Sequence, residues 1–487
     1  MTTACDVVVV GAGNAALVAA VRAAELGARV LVLEAAPEEH HGGNSRHAGA
    51  NFRIPFEHVD ELAPLELDLT PAVRATLAAS PYPRQRLLGE LVRASRERAD
   101  PRLLRLLVDS TLAACGWLRS HGLAWVPGIK GRPVERLDDW QLNPMFSVCG
   151  KGPALVAGLR DAAARRGVAV RHSARARGLV RSPDGAICGL RVDGVDRTIE
   201  IEAPRVILAC GGFEANPEMR ARYLGPALET VKLRGTRYNR GDGLAMALAA
   251  GAQLAGHGAH ICPIDERSPE FSTIEIGEDS RRCRYGLGIL VNRAARRFLD
   301  EAADQPWATY ASVGHEVQRQ DGRVAYEISD AKTAGVPFEQ ELYATTPPIE
   351  AATIAELAAR LGISGRALEA EIARFNAAVR ADVAFQPDRL DGRSTRGATP
   401  EKSNWALAID TPPYRAYPIC AGLTFTYAGV AIDPACRVLG AAGAPIAGLF
   451  AAGQMAGGFF VDRYLGATGL ARGVVTGMTA AEAATAT

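Results

Sequence analysis

Four consecutive β-branched residues, Val7 to Val10, run straight into Gly11-Ala12-Gly13-Asn14-Ala15-Ala16, and an alanine-rich stretch follows to Leu26 and Gly27. An unbroken run of this kind suits a parallel strand buried on both faces, and a glycine stops it. Ala15 to Leu26 predicts a helix closed by Gly27, and Arg29 to Leu33 predicts a second strand ending on Glu34. Strand, glycine turn, helix, strand and an acid about 20 residues on make a βαβ unit built to hold a dinucleotide. Gly11 permits the tight turn and Gly13 lets a pyrophosphate approach the backbone. Asn14, Ala15 and Ala16 open the helix, whose N-terminus presents partial positive charge to phosphate, and the small Ala16 lets helix and strand pack closely. Glu34, followed by Ala35, is placed to accept hydrogen bonds from ribose hydroxyls and to repel a 2′-phosphate.

Three further segments allow a similarly close backbone approach. They are Gly42-Gly43-Asn44-Ser45 with Ala48-Gly49, Ala209-Cys210-Gly211-Gly212 at the end of an apolar run, and Gly453-Gln454 at the end of another. An NAD domain needs only the first glycine turn, whereas a cofactor as long as FAD, threaded across a domain, needs several. The sequence therefore predicts FAD. A last turn, Gly466-Ala467-Thr468-Gly469-Leu470, opens a closing helix whose N-terminal N–H groups suit the negative charge of a reduced flavin.

Composition narrows the remaining classes. Across 487 residues, 55 Lys+Arg balance 54 Asp+Glu, so no global field steers nucleic acid or an anionic membrane. Only five of the basic residues are lysines, so a single arginine is weak evidence of function in this chain. Nine cysteines without a C-x-x-C pair argue against iron–sulfur, zinc-ribbon and disulfide frameworks. Without a leader pattern or an apolar run of about 18–20 residues, the reading is a cytoplasmic chain with no metal and no membrane insertion.

The architecture predicted is α/β: a discontinuous Rossmann-like FAD-binding domain with an inserted α+β capping domain. The FAD-binding domain spans 1–257, with a helical insertion at about 60–122, and returns over 421–487. The charged, less regular stretch 258–420 forms the substrate or capping domain.

The N-terminal fingerprint, the Gly42–Ser45 loop, Arg234-Gly-Thr-Arg-Tyr-Asn239-Arg-Gly-Asp242-Gly243 and Gly453-Gln454 together resemble the fumarate reductase/succinate dehydrogenase flavoprotein family. Within it the chain is most similar to FAD-dependent tricarballylate dehydrogenases. The resemblance implies noncovalent FAD, with Asn239 and Asp242 among its contacts, and hydride transfer between flavin N5 and a carbon β to a carboxylate. It also implies a small carboxylate substrate, no nucleic acid, and a separate membrane-bound protein as electron partner. Of three nearby histidines, His40 and His41 belong to the loop surface; His47 is the better placed for a covalent flavin link, but the local pattern differs from that of covalent members.

Two departures stand out. The relay arginine of fumarate reductases falls on Gln305, and their substrate-wall histidine falls near Thr424-Phe425. Both fit desaturation of a polycarboxylate, tricarballylate to a cis-aconitate-like alkene, better than fumarate reduction. By the same resemblance, Arg281 and Arg284 of the basic cluster Ser280–Gly286 are the expected carboxylate clamps, and Arg282 lies outside the site. His260 matches a histidine at the cap entrance. Tyr427, Arg463 and Tyr464 belong to the wall facing the flavin, where a tyrosine relays a proton if arginines lower its pKa. Two other readings stay open: a desaturase or reductase of a less charged substrate, as in 3-ketosteroid 1-dehydrogenases, and a flavin redox protein without substrate chemistry.

Overall fold

The computed structural model describes residues 5–129, 132–133, 144–193, 198–268, 282–336 and 346–486. The chain divides into two compact units: residues 1–229, 235–259 and 425–487 form the first, and residues 230–234 and 260–424 the second. The expected boundaries at 257/258 and 420/421 lie two and four residues away from these. Residues 230–234 join the second unit because Lys232 and Leu233 pair in parallel with Gly422 and Leu423 there.

The first unit is built on a six-stranded sheet. Its elements are β1 (Val7–Val10), α1 (Asn14–Glu25), β2 (Val30–Leu33), α2 (Pro101–Ser120), α3 (Lys151–Arg165), β3 (Ala169–Arg171), β4 (Arg205–Leu208), β5 (Arg437–Leu439), β6 (Pro445–Ala451) and α4 (Gly469–Thr485). The strand order is β5-β6-β4-β1-β2-β3, parallel throughout except for the β5/β6 pair. Every residue of β1 and β2 is buried, which is why both read as continuous apolar runs. β1 lies between β2 and β4, so the strand order reverses there, and the crevice at the carboxyl ends of such strands is where open α/β sheets bind ligands.

Glycine and alanine let the layers close. α1 and α4 pack against each other, and a Cβ on Gly477 would stand 2.6 Å from the Ala15 carbonyl oxygen. The expected helical insertion forms as Pro71–Ala79, Arg84–Ala94 and α2, each led by a proline at or just before its first turn.

In the second unit the organiser is the long strand Tyr414–Thr426, of which residues 414–424 belong to that unit. Val324–Ser329 and Ile349–Ala351 pair with it antiparallel, and Ile289–Val291 extends the sheet beyond Val324–Ser329. Helices Ile354–Leu361 and Gly365–Ala378 bury Leu357, Leu368, Ile372 and Phe375 in a core with Ile289 and Ile328. No helix among the described residues is long and apolar enough to cross a membrane.

Candidate active site

Two glycines in the first turn do different work. Gly11 has φ +106°, and a Cβ there would stand 2.7 Å from the Ala209 carbonyl oxygen, so the fold itself demands glycine. Gly13 has φ −75°, and a Cβ there would meet only ordinary contacts, at 3.4 Å from Ser45 Oγ and 3.6 Å from the Gly42 oxygen. Packing within the protein would therefore admit a Cβ at this position, so glycine here is not demanded by the fold. No side chain caps α1, and its first turn carries no acid. The residues present thus fit a pyrophosphate at this helix end.

Glu34 is buried and fixes the cradle. Its Oε2 accepts from the Ala12 N–H at 2.7 Å and its Oε1 from the Ala36 N–H at 2.8 Å. A carboxylate has about four acceptor positions, and an acid at this place is the residue type that suits ribose hydroxyls. The Asn14 N–H donates to Ser45 Oγ at 3.0 Å, and Asn14 Nδ2 donates to the Leu470 carbonyl, tying the first turn to the Gly43–Ser45 loop and to α4. The Ala48 carbonyl receives the Gly152 N–H of α3, which holds the Ala48-Gly49 end of that loop.

The predicted close-approach segments meet at a residue that sequence reading passed over. Glu214 is completely buried. Its Oε1 accepts from Asn44 Nδ2 at 2.7 Å and Asn239 Nδ2 at 2.6 Å, and its Oε2 from Gln454 Nε2 at 2.8 Å. Gln454 Nε2 also reaches Thr426 Oγ1, and the Thr236 N–H donates to Asn44 Oδ1 at 2.9 Å. Burial pushes the Glu214 carboxyl up, against the pull of the Asn239 and Gln454 amides. The adjoining glycines have no room for a side chain: a Cβ on Gly212 would stand 2.1 Å from Gln454 Nε2, and one on Gly211 2.5 Å from the Asn239 amide. One signal pointed here, an acid directly after Gly211-Gly212-Phe213, a glycine turn where nothing else is charged. Nearby, burial pushes the Cys210 thiol up to about 12. Asp242 is held by Arg175, with Nε at 2.9 Å and Nη2 at 2.8 Å.

At the N-terminus of α4 the side chain of the N-cap residue Thr468 makes no capping bond, and the first turn holds no acid. The Thr468 hydroxyl donates to the Leu465 carbonyl, and the Gly453 N–H donates to Thr476 within α4. The Gly469 N–H donates to the Tyr464 hydroxyl oxygen at 3.0 Å. Tyr464 belongs to a cluster of four aromatic residues: its ring lies edge-on to Phe425 at 5.0 Å and to Phe460 at 5.1 Å, and tilted against Tyr427 at 6.5 Å. Tyr427 and Phe460 are buried, whereas Phe425 and Tyr464 are half-buried. The expectation that arginines lower a tyrosine pKa in this wall is corrected. Burial pushes Tyr464 up, and the Gly469 N–H, Arg472 and Arg53 only partly offset it. Arg463 is exposed, while Arg472, one turn into α4, is buried with its guanidinium 4.8 Å from the Phe460 ring centre.

In the second unit Arg284 is half-buried and donates to the Thr333 carbonyl at 2.8 Å and the Val336 carbonyl at 3.3 Å. Arg281 lies outside the described residues. Arg282 pairs with the buried Asp265 and lies 3.9 Å from the Tyr417 ring centre. Burial pushes Asp265 up, but hydrogen bonds from Arg267 and Arg282 prevail and hold it below the usual carboxylate range. His260 is buried, edge-on to Tyr310 at 5.2 Å. Gln305 is buried at the N-cap position of the helix Pro306–Gln318 and its side chain makes no capping hydrogen bond.

Comparison with known proteins matches this arrangement to a class. Residues 6–470 match the model of the FAD binding domain family, and the chain belongs to that family. It is an FAD-dependent oxidoreductase of the fumarate reductase-like flavoproteins, acting on CH–CH or C=C groups. The chain is 31% identical to 4-oxocyclohexanecarboxylate 2-dehydrogenase of Sinomonas cyclohexanicum, over 95% of this chain and 89% of that one. It is 26% identical to the fumarate reductase (cytochrome) of Shewanella frigidimarina, over 98% of this chain and 76% of that one. In fold it matches the 3-ketosteroid Δ1-dehydrogenase of Sterolibacterium denitrificans with a TM-score of 0.74 at 21% identity, covering 99% of each.

Proposed function

We propose that this protein is a noncovalent FAD dehydrogenase that desaturates the carbon pair beside a ketone in a ring-bearing oxo-acid. One observation carries this reading: the cluster of Phe425, Tyr427, Phe460 and Tyr464 with the Tyr464 hydroxyl at the N-terminus of α4. Such a surface buries an alicyclic ring. The phenol, kept protonated by burial, donates its own hydrogen to a ketone oxygen while accepting from the Gly469 N–H. A donor aimed at the charge that develops on an enolate oxygen is the usual means of acidifying the neighbouring C–H. FAD, when bound, supplies the acceptor for the hydride equivalent. Asn44, Glu214, Asn239 and Gln454 hold the glycine segments that would receive it. The similarity to 4-oxocyclohexanecarboxylate 2-dehydrogenase supports the same substrate class.

The polycarboxylate reading, tricarballylate above all, draws on the basic residues of the second unit. It asks for several uncommitted cations, and there Arg284 is bound to backbone carbonyls and Arg282 to Asp265. Lacking an iron–sulfur or haem motif in the sequence, the reduced enzyme passes its electrons to a diffusible acceptor or to a separate electron-transfer protein.

Anaerobic mixing of the holoenzyme with 4-oxocyclohexanecarboxylate, a 3-ketosteroid, tricarballylate and succinate tests the choice. Flavin bleaching with the oxo-acid and not with tricarballylate is expected, and the reverse order overturns it. Acid precipitation should leave yellow FAD in solution; flavin retained on the pellet contradicts noncovalent attachment.

A further inference from the structure

Arg472 is only 3% exposed, and two of its three guanidinium nitrogens, Nε and Nη1, have no hydrogen-bond partner. Among the described residues no carboxylate forms an ion pair with it. Its guanidinium carbon lies over aromatic rings, 4.8 Å from the centre of Phe460 and 5.9 Å from that of Phe459. The ionisable groups that bear on it are Tyr464, Tyr427 and Glu214, and Glu214 is already met by three amides.

Burial alone does not orphan an arginine in this chain. Arg297 is equally hidden, and it is bound by Glu301 through Nε at 2.9 Å and Nη2 at 2.6 Å and by the Pro400 carbonyl at 2.7 Å. A buried guanidinium without an anion is costly, because arginine stays protonated at any physiological pH. An incoming anion offsets that cost. Burial pushes Arg472 down only to about 10, so it remains a cation in the working range.

We propose that Arg472 receives the carboxylate of the substrate. The proposal rests on the oxo-acid reading above and deepens it. Gly469 and Arg472 stand three residues apart at one helix end, so their Cβ positions would be about 5–6 Å apart on one face. The carbonyl donor Tyr464, which Gly469 holds, and the carboxylate receptor are then set side by side, with Phe460 between them as the apolar floor. A ring carrying a ketone at one end and a carboxylate at the other matches that pattern of groups.

The test uses benzoate, a ring carboxylate with no bond to desaturate, and benzamide as its uncharged counterpart, each titrated into FAD-loaded enzyme by calorimetry. Wild type should prefer benzoate, and Arg472→Gln should weaken benzoate roughly 30- to 1000-fold while leaving benzamide within a few-fold. Arg472→Lys should restore part of the loss. Equal affinity of wild type for the two ligands, full benzoate binding by R472Q, or equal losses for both ligands each overturns the proposal. If R472Q does not hold FAD, Arg472→Met and R472K take its place. Failure of all three to hold FAD makes the arginine structural and also overturns it. The two readings fail separately. Arg472-dependent benzoate binding without bleaching by the oxo-acid sinks only the oxo-acid chemistry, and equal bleaching of wild type and R472Q sinks only the carboxylate receptor.

Discussion

Glu214 in the first unit and Asp265 in the second are both completely buried acids, and they are satisfied in opposite ways. Glu214 is met by three neutral amides, from Asn44, Asn239 and Gln454, and burial leaves its carboxyl pushed up. Asp265 is met by the guanidiniums of Arg267 and Arg282, which outweigh burial and hold it down. The amides fix the positions of four glycine-rich segments without adding charge beside a cofactor. The arginines spend their charge on structure. A cluster of cations in sequence is therefore a poor guide to an anion site in this chain, whereas Arg472, buried in a Gly/Ala helix, forms no ion pair among the described residues and keeps two guanidinium nitrogens without a hydrogen-bond partner.

The largest effect should come from emptying the amide cage. Glu214→Leu removes the acceptor shared by three amides, at about 1–3 kcal/mol for the buried Asn239 donor alone, and the purified protein should lose most of its flavin by visible absorbance. A variant with full flavin content removes the cage from the account. Glu214→Gln, which keeps one carbonyl acceptor, should fall between. Next in size is Arg284→Met, which removes the guanidinium donors to the Thr333 and Val336 carbonyls and should cost stability by about 1–3 kcal/mol in urea unfolding. Its kcat/KM should stay within a few-fold of wild type. A loss of a hundredfold or more returns Arg284 to the substrate and breaks the contrast between the two units.

The smallest effect sets the scale for a solvated ion pair. Asp6, at the head of β1, binds the Arg29 side chain and backbone N–H, and those bonds hold its carboxyl down at about 2. A depressed folded pKa contributes stability above the unfolded value of about 3.9, and that stability is lost as pH falls toward 2. Asp6→Asn should flatten the acid side of the Tm–pH curve between about pH 4 and pH 2 by less than about 1 kcal/mol, because the pair is exposed. A larger change would mean that this edge of the sheet is held by charge rather than by packing.

The nucleotide half of the fold was legible because its constraints are local. Val7–Val10, the Gly11–Ala16 turn and Glu34 each report a strand, a turn or an acceptor within their own few residues. The glycine segments at 43, 211 and 453 were legible for the same reason, since each marks a close backbone approach. Glu214 was not, because its role exists only when residues 44, 239 and 454 converge on it across the chain. Arg472 was hidden twice, by an arginine-rich composition and by a helix whose glycines and alanines read as packing. The arginine cluster at 281–284 was conspicuous for its density, and the partners of Arg282 and Arg284 lie far along the chain at Asp265, Thr333 and Val336.

The central claim is that the Tyr464 hydroxyl at the N-terminus of α4 activates a ketone. The most direct test is the rate of anaerobic flavin reduction by 4-oxocyclohexanecarboxylate in Tyr464→Phe, which keeps the ring in the aromatic cluster and removes only the hydroxyl. The account predicts normal FAD content and a rate lower by roughly 10²- to 10³-fold, the size of losing one donor to a developing oxyanion. Reduction at the wild-type rate would contradict it.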